Sequence, residues 1–92
     1  MVYTVARLKV QDFATFKEGF TAGEALRKSY GSLGARMFQS ATDPNEVVLV
    51  FEWESLERAT EFFMSSELRE RQQQAGVLGR PDLYNEVESS PV

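Results

Sequence analysis

Apolar residues run without interruption through one short segment in the middle of the chain. Val47 to Phe51 are apolar at every position, inside the stretch DPNEVVLVFEWESLERA that covers residues 43–59. A strand with one face on a core and the other in water alternates apolar and polar residues. The segment therefore predicts a strand that is covered on both faces, and something must cover the second one.

The same pattern predicts four strands and two helical regions. Strands are indicated by β-branched and aromatic residues, and helices by apolar residues three and four positions apart, with Asp12 and Ser55 as N-caps. A GVLGRPD loop and a flexible tail are also expected. The predicted strands cover residues 2–10, 35–40, 46–53 and 83–88, the helices 13–31 and 56–75 with a break at 65–66, the loop 76–82 and the tail 89–92.

The order of elements predicts a single α+β domain over residues 1–92. A βαββαβ chain with right-handed crossovers gives a four-stranded antiparallel sheet with both helices on one face, the ferredoxin-like arrangement. The other face then has no cover from its own chain, although it carries apolar side chains from several strands. The pattern does not assign which side chains of each strand point to the helices.

The open face predicts a homodimer. Four strands of five residues present roughly 300 Å², and covering that area contributes at most about 8 kcal/mol per protomer. Two such faces exceed the middle of the ~4–15 kcal/mol range that association costs. A self-complementary patch closes into a two-fold dimer, so a second copy of the chain is the expected partner, with a bound lipid or a different protein as the alternative.

Composition and charge exclude several classes of function. The net charge of −4 argues against a nucleic-acid partner, which requires a basic surface. The chain contains no Cys and no His, and its Asp and Glu residues show no metal-ligand spacing, so no metal is expected. We find no cofactor motif, no apolar run long enough for a membrane span and no signal-peptide pattern, and we expect a cytoplasmic protein without a cofactor.

Three stretches resemble the dimeric α/β-barrel superfamily and, within it, the small proteins related to antibiotic biosynthesis monooxygenases. They are VQDFATFKEGF at residues 10–20, DPNEVVLVFEWESLERATEFF at 43–63 and SSELRERQQQAGVLGRPDLY at 65–84. The superfamily resembled here includes cofactor-independent quinone-forming monooxygenases, haem-degrading enzymes and polyketide cyclases. The resemblance implies the same dimeric fold but does not imply one particular activity.

One departure from the pattern of related chains matters for the mechanism. Where those often show F-D-x-H-x-x-L-R in the first helix, this chain has FTAGEALR at residues 20–27. Gly23 occupies the position of the histidine, whereas Phe20, Leu26 and Arg27 match. A mechanism that uses an imidazole there as a proton carrier or a haem ligand is therefore not expected.

The first helix supplies three candidate pocket residues. Phe20, Gly23 and Arg27 follow Phe16 at intervals of four, three and four residues, so all lie on one side of the helix. Gly23 would leave space between helix and sheet, and Arg27 would hold a carboxylate or enolate oxygen. In the alternative interpretation Gly23 allows close packing and Arg27 extends to solvent near the helix C-terminus.

Other candidates lie on the strands. An aromatic pocket for a flat, polyketide-like ring, with a phenol to form a hydrogen bond to it, would be provided by Trp53, Tyr84, Tyr30 and Tyr3, with core and dimer packing as the alternative. Glu52 would act as a base if desolvation raised its pKa, or would form an ion pair with a neighbouring arginine. On the second helix, Glu67 and Arg71 have the spacing of an ion pair.

Three hypotheses for the function follow. The first is a cofactor-independent, monooxygenase-like enzyme that acts on an aromatic or polyketide-like small molecule. The second is a non-catalytic module that binds a small molecule or regulates another protein, because ligand-sensing domains share this order of elements. The third is a dimeric scaffold whose partner is another protein.

Overall fold

The computed structural model describes residues 1–91 and contains four strands and four helices. Its α+β, ferredoxin-like arrangement confirms the predicted fold class, although each predicted helical region is divided in two. The elements are β1 (Val2–Val10), α1 (Phe13–Ala22), α2 (Glu24–Ser29), β2 (Ser32–Gln39), β3 (Glu46–Trp53), α3 (Leu56–Phe63), α4 (Ser66–Gln74) and β4 (Val77–Val87).

The four strands form one antiparallel sheet in the order β2-β3-β1-β4. The helices cover one face, and the core lies between them and the sheet. On β3 the side chains of Val47, Leu49, Phe51 and Trp53 are 0–5% exposed, whereas those of Val48 and Val50 are half-buried on the other face. The structure thus shows which side chains of β3 face the helices, which the sequence pattern did not determine.

The covered face is filled mainly by aromatic rings. Phe51 lies at the centre, with ring centroids 5.3 Å from Phe63, 5.8 Å from Trp53 and 5.9 Å from Phe20. Offset and edge-to-face arrangements at these distances are favourable because the ring edges are positive and the faces negative. The rings therefore tie α1 and α3 to the middle of β3.

The first predicted helix is interrupted at Gly23. The Gly23 N–H donates to the carbonyls of Gly19 and Phe20, both at 3.1 Å, and α2 restarts at Glu24. Because glycine has the highest conformational freedom, it is the natural position for such a break. The prediction of one continuous helix over residues 13–31 is therefore wrong. The structure has two helices there, and the second ends at Ser29.

The strand boundaries also differ from the prediction at two places. β2 begins at Ser32 rather than at residue 35, and residues 77–82 belong to β4 rather than to a loop. In β4, three residues, Gly79 to Pro81, lie opposite Leu8 alone, where the register with β1 shifts. Glycine and proline here mark a bulge in an edge strand, which tolerates both residue types.

The break in the second helical region is confirmed. α3 ends at Phe63, and the hydroxyl of Ser65 accepts a hydrogen bond of 3.2 Å from the N–H of Leu68 as the N-cap of α4. Residues 88–91 contain no regular secondary structure. The last residue of the predicted tail, residue 92, lies outside the described residues.

The helices are short. None of those within residues 1–91 has the length and apolar character that crossing a lipid bilayer requires.

Candidate functional site

An apolar cavity of about 70 Å³ lies between the helices and the covered face of the sheet. Its floor is made by β1, β3 and β4, and its walls by all four helices. Most of the lining is aliphatic or aromatic, and the polar exceptions are two arginines and one glutamine. The lining includes five phenylalanines and a leucine, which are Phe16, Phe20, Phe51, Phe62, Phe63 and Leu68.

A wider cleft of about 440 Å³ adjoins this cavity on the side of α4 and β4. Its size falls within the ~300–1,000 Å³ typical of small-molecule sites, whereas the inner cavity alone does not. The bulge of β4 contributes Gly79, Arg80 and Pro81 to its wall. The two spaces share five wall residues, which are Phe63, Leu68, Gln72, Pro81 and Leu83. A ligand larger than a few atoms would therefore occupy both.

Arg27 is the one buried cation at the cavity. It is only 9% exposed, and its Nη1 donates a hydrogen bond of 2.6 Å to the carbonyl of Phe20. The guanidinium carbon lies 3.8 Å from the centre of the Phe20 ring, which is a cation–π contact. No carboxylate within residues 1–91 comes within 4.0 Å of it. Its charge is thus held among apolar groups without an opposite charge.

Gly23 makes room for this arrangement. A Cβ at residue 23 would lie 3.3 Å from the Nη1 atom of Arg27. Because that distance is tighter than ordinary packing, an alanine there would require the guanidinium to move by a few tenths of an ångström. The two candidates on this helix are therefore linked, since the missing side chain of one determines where the other lies.

The surroundings of Arg27 lower its pKa from the ordinary value. Desolvation by burial is the largest cause, because it disfavours the charged form. The negative charge of Glu24 acts in the opposite direction, and the positive charge of Arg71 lowers the pKa further. Arginine still keeps its proton in proteins, so the structure holds a positive charge at this position without a carboxylate in direct contact.

Three further arginines surround the same opening. Arg71 lines the inner cavity, and Arg69 and Arg80 line the outer cleft. Like Arg27, none of the three has a carboxylate within 4.0 Å among residues 1–91. The predicted Glu67–Arg71 ion pair is wrong, because Glu67 instead accepts a hydrogen bond of 3.1 Å from the hydroxyl of Tyr30.

Trp53 does not line the cavity. It is fully buried behind the rings of Phe51 and Phe62, whose centroids lie 5.8 Å and 5.3 Å away. Its Nε1–H has no hydrogen-bond acceptor within residues 1–91. In this structure Trp53 belongs to the packed core, next to the cavity but one layer away from it.

Tyr84 lies on the opposite face of the sheet. It pairs with Val5 of β1, whereas the cavity is lined by its neighbour Leu83, which pairs with Ala6. Tyr84 is 56% exposed there. Glu52 shares this open face and forms no ion pair within residues 1–91, because Arg7 pairs with Glu46 at 3.0 Å instead.

Phe20, Gly23 and Arg27 are brought together at the cavity, whereas Trp53 and Tyr84 are not. The contribution of α4 was missed by sequence reasoning, although its spacing carried a signal. Leu68, Gln72 and Ala75 recur at intervals of four and three residues, which marks one face of a helix. The contribution of β4 depends on the bulge, and the glycine and proline of that segment led to the prediction of a loop there.

No metal site is formed by the usual ligands, since residues 1–91 contain no cluster of three His, Cys, Asp or Glu side chains that could hold an ion.

The sequence matches the family model described as antibiotic biosynthesis monooxygenase over residues 1–75. This match covers most of the chain. The protein belongs to the antibiotic biosynthesis monooxygenase family. The family resemblance of residues 10–20 and 43–63 is thereby confirmed. No curated protein matches the sequence.

Solved structures of the antibiotic biosynthesis monooxygenase group share the fold. A protein of Bordetella bronchiseptica assigned to that group superposes with a TM-score of 0.82 at 21% identity, covering 97% of both chains. SnoaB, a cofactor-independent oxygenase from Streptomyces nogalater, gives 0.75 at 16% identity, covering 99% of this chain and 97% of its own. The monooxygenase of Streptomyces coelicolor gene ActVA-Orf6, solved with nanaomycin D, gives 0.70 at 23%, covering 99% and 89%.

Proposed function

We propose that the protein is a cofactor-independent oxygenase that acts on an electron-rich, flat aromatic molecule of polyketide type. The observation that carries this proposal is the phenylalanine-lined cavity that opens beside the buried, unpaired guanidinium of Arg27. Membership of the antibiotic biosynthesis monooxygenase family supports it, and so does the shared fold with SnoaB and the ActVA-Orf6 monooxygenase.

The cavity suits a fused aromatic ring system. Phe16, Phe20, Phe51, Phe62 and Phe63 offer ring faces and edges for stacking. The ring would enter through the outer cleft and displace Leu68 or Gln72, which stand where the two spaces meet. Bound in this way, the ligand would be shielded from water on most sides, as ligands in small-molecule sites are.

The reaction we propose is the oxidation of a phenol to a quinone by molecular oxygen. The phenol loses its proton, and the ring carbon para to the oxygen forms a bond to O₂. That carbon then loses its hydrogen and the O–O bond breaks, so that one oxygen atom stays as the quinone carbonyl and the other leaves as water. The substrate supplies all the electrons. Positive charge at Arg27 and Arg71 would stabilise the phenolate.

Oxygen uptake tests this proposal. The protein is mixed with a panel of dihydroxynaphthalenes and hydroxyanthrones, and dissolved O₂ is followed with an electrode while quinone formation is followed by absorbance. We expect uptake that is proportional to protein concentration, with one quinone formed per O₂ consumed. Uptake at the protein-free rate across the panel, with binding of the same compounds demonstrated by calorimetry, would contradict an oxygenase.

A non-catalytic binding module is the second candidate, and the composition of the cavity wall favours it. The polar residues around the two spaces are arginine and glutamine, and the described lining contains no carboxylate or hydroxyl group. A protein with this lining can hold and orient an aromatic molecule but has no side chain there that would accept its proton. Binding without oxygen uptake would establish this function instead.

The family fold also supports a homodimer through the open face of the sheet. Val5, Val48 and Val50 are half-buried in the middle of this face, and Phe38 and Tyr84 are 47% and 56% exposed beside them. A contiguous apolar patch of this kind marks an interaction surface. We propose that a second copy of the chain covers it, as the sequence predicts, and the cytoplasmic location likewise stays a prediction.

A further inference from the structure

We propose that the site selects aromatic anions, with a carboxylate or ionised enol held by Arg27 and Arg71 while the ring occupies the phenylalanine-lined cavity. This inference rests on the proposed function, because it concerns the same cavity. It adds the charge of the ligand and the two residues that recognise it.

Arg27 is a buried cation without an ion pair among residues 1–91. A buried charge without a partner costs several kcal/mol, and proteins keep such groups only when something compensates them. Within residues 1–91 the compensation consists of one hydrogen bond to the Phe20 carbonyl, one contact with the Phe20 ring and the longer-range attraction of Glu24. A guanidinium has five N–H donors, and Arg27 lines the cavity with one side-chain hydrogen bond formed within residues 1–91.

Arg71 supplies a second positive charge at the cavity. It lines the same cavity from α4, so that the two guanidinium groups approach it from two different helices. Each lacks a carboxylate partner within the described residues. The charge of Arg71, which is exposed, repels the buried charge of Arg27, and an anion between the two would offset this repulsion and part of the desolvation penalty of Arg27.

The distribution of the other charges strengthens the case. The chain carries a net charge of −4, yet all the charged residues in the described lining of the cavity and the cleft are arginines. Six of the ten Lys and Arg residues have no carboxylate within 4.0 Å among residues 1–91, and four of those six line the cavity or the cleft. Those four are Arg27, Arg69, Arg71 and Arg80. A positive mouth on an acidic protein attracts anionic ligands and repels cationic ones.

The shape of the cavity narrows the class of anion. A phosphate or another small inorganic anion would leave the apolar walls in contact with water, whereas an aromatic carboxylate covers them with its ring. The planar fork of arginine also matches a carboxylate, which accepts two parallel hydrogen bonds from it. We therefore name a flat aromatic acid, or an aromatic enol that ionises to the same charge, as the ligand class.

Calorimetric titration with naphthoate and naphthamide tests the proposal, because the two share a ring system and differ in charge. Hydrogen bonds to a charged group contribute about 1.5–3 kcal/mol, so we expect naphthoate to bind at least ~10-fold more tightly. The preference should shrink when the salt concentration is raised, since ions screen exposed charges.

Single substitutions assign the preference to the two arginines. Arg27→Gln and Arg71→Gln should each weaken naphthoate binding about 10-fold while naphthamide binding changes less than about 2-fold. Arg71 is exposed on α4, so its variant is expected to fold even if the buried Arg27 variant does not. Lys17→Gln removes an exposed positive charge from α1 and serves as the matched control, with no change expected.

Each other outcome has a distinct meaning. Equal affinity of the wild-type protein for the two ligands would overturn the anion inference but leave the cavity as a binding site. A preference for naphthoate that survives in Arg71→Gln and in a folded Arg27→Gln would overturn the assignment to these arginines. Failure of both ligands to bind would overturn this inference and the proposed function together, whereas oxygen uptake with neutral phenols alone would overturn only the inference.

Discussion

Alternate side chains of the same strand, β3, contribute to the two different faces of the sheet. On β3, Leu49 and Phe51 point to the helices and are 5% and 3% exposed, whereas Val48 and Val50 between them are half-buried on the open face. Because successive side chains of a strand point to opposite faces, one apolar run supplies both. The covered face builds the core and the cavity, and the open face builds the surface for which we propose a second copy.

The two faces also treat charge differently. On the open face Arg7 and Lys9 pair with Glu46, at 3.0 Å and 3.4 Å, and Lys9 also contacts Asp43. Around the cavity on the covered side, Arg27 and Arg71 have no such partner within residues 1–91. Exposed cations without a partner, such as Lys17 and Arg36, are ordinary surface charges, whereas the buried, unpaired charge of Arg27 beside a cavity points to a ligand.

The largest effect is expected from Phe51→Ala on the covered face. Removal of a buried phenylalanine costs about 3–5 kcal/mol, because its contacts are lost and a cavity remains. Urea unfolding followed by the fluorescence of the single tryptophan, Trp53, measures the cost. Phe38→Ala, the same change at a 47% exposed position of the open face, should cost less than half as much. Equal costs would contradict the difference between the faces.

Val50→Glu should prevent formation of the proposed dimer. Val50 lies in the middle of the open face, opposite Val5 and Arg36 on the neighbouring strands. Two carboxylates, one from each protomer, would be desolvated in the interface, so we expect the dissociation constant to rise at least ~100-fold. Light scattering at micromolar concentration measures the mass. Ala25→Glu, exposed on α2, should leave the dimer intact, and a Val50→Glu protein that stays dimeric would place the interface elsewhere.

Gly23→Ala should separate binding from stability on the covered face. The new Cβ would lie 3.3 Å from the Nη1 atom of Arg27 and displace it, so we expect naphthoate affinity to fall about 3–10-fold. Stability should change by less than about 1 kcal/mol, because alanine favours helix over glycine. Gly34→Ala, with no atom within 4 Å of the added Cβ, is the control. Unchanged affinity in Gly23→Ala would show that the guanidinium position is unimportant.

The smallest effects concern pH. Hydrogen bonds from the Thr15 hydroxyl and N–H lower the pKa of Asp12, and the hydrogen bond from Lys9 lowers that of Asp43. A carboxyl group with a lowered folded pKa stabilises the protein above its unfolded value of 3.8 and loses that contribution as pH falls through the folded pKa. We therefore expect stability to decline slightly below about pH 4, and Asp12→Asn to reduce the decline.

Ligand binding should not follow this pH dependence. Arginine stays protonated across the range, and the described cavity wall contains no carboxylate. The affinity for naphthoate should therefore be constant between about pH 6 and 8 in calorimetric titrations. A tenfold change across that interval would show that another titrating group takes part in binding.

The sequence was most informative where one physical signal acted alone. β3 was predicted with its observed ends, because a turn with Asp43 and Pro44 precedes it and the Ser55 cap follows Trp53. The first six residues of β4, residues 77–82, were predicted poorly, because Gly79 and Pro81 usually mark loops and mark a bulge only when a neighbouring strand supplies the partners.

The candidate site shows the same division. Phe20, Gly23 and Arg27 fall in one predicted helical region, so their common side follows from helical spacing, although the structure divides that region at Gly23. Tyr84 is different, because the face of β4 on which it lies depends on the register with β1 after the bulge. A shift of one residue moves a side chain from one face to the other, and the sequence of β4 alone does not determine that register.

The division of the sheet into a ligand face and a partner face is tested most directly by an NMR titration of the ¹⁵N-labelled protein with naphthoate. We expect the amide signals of Gly19, Gly23, Arg27 and Leu68 to shift in proportion to the bound fraction, while those of Arg36 and Phe38 on the open face keep their positions. Shifts concentrated on the open face, with the signals of α1 and α4 unchanged, would contradict the account.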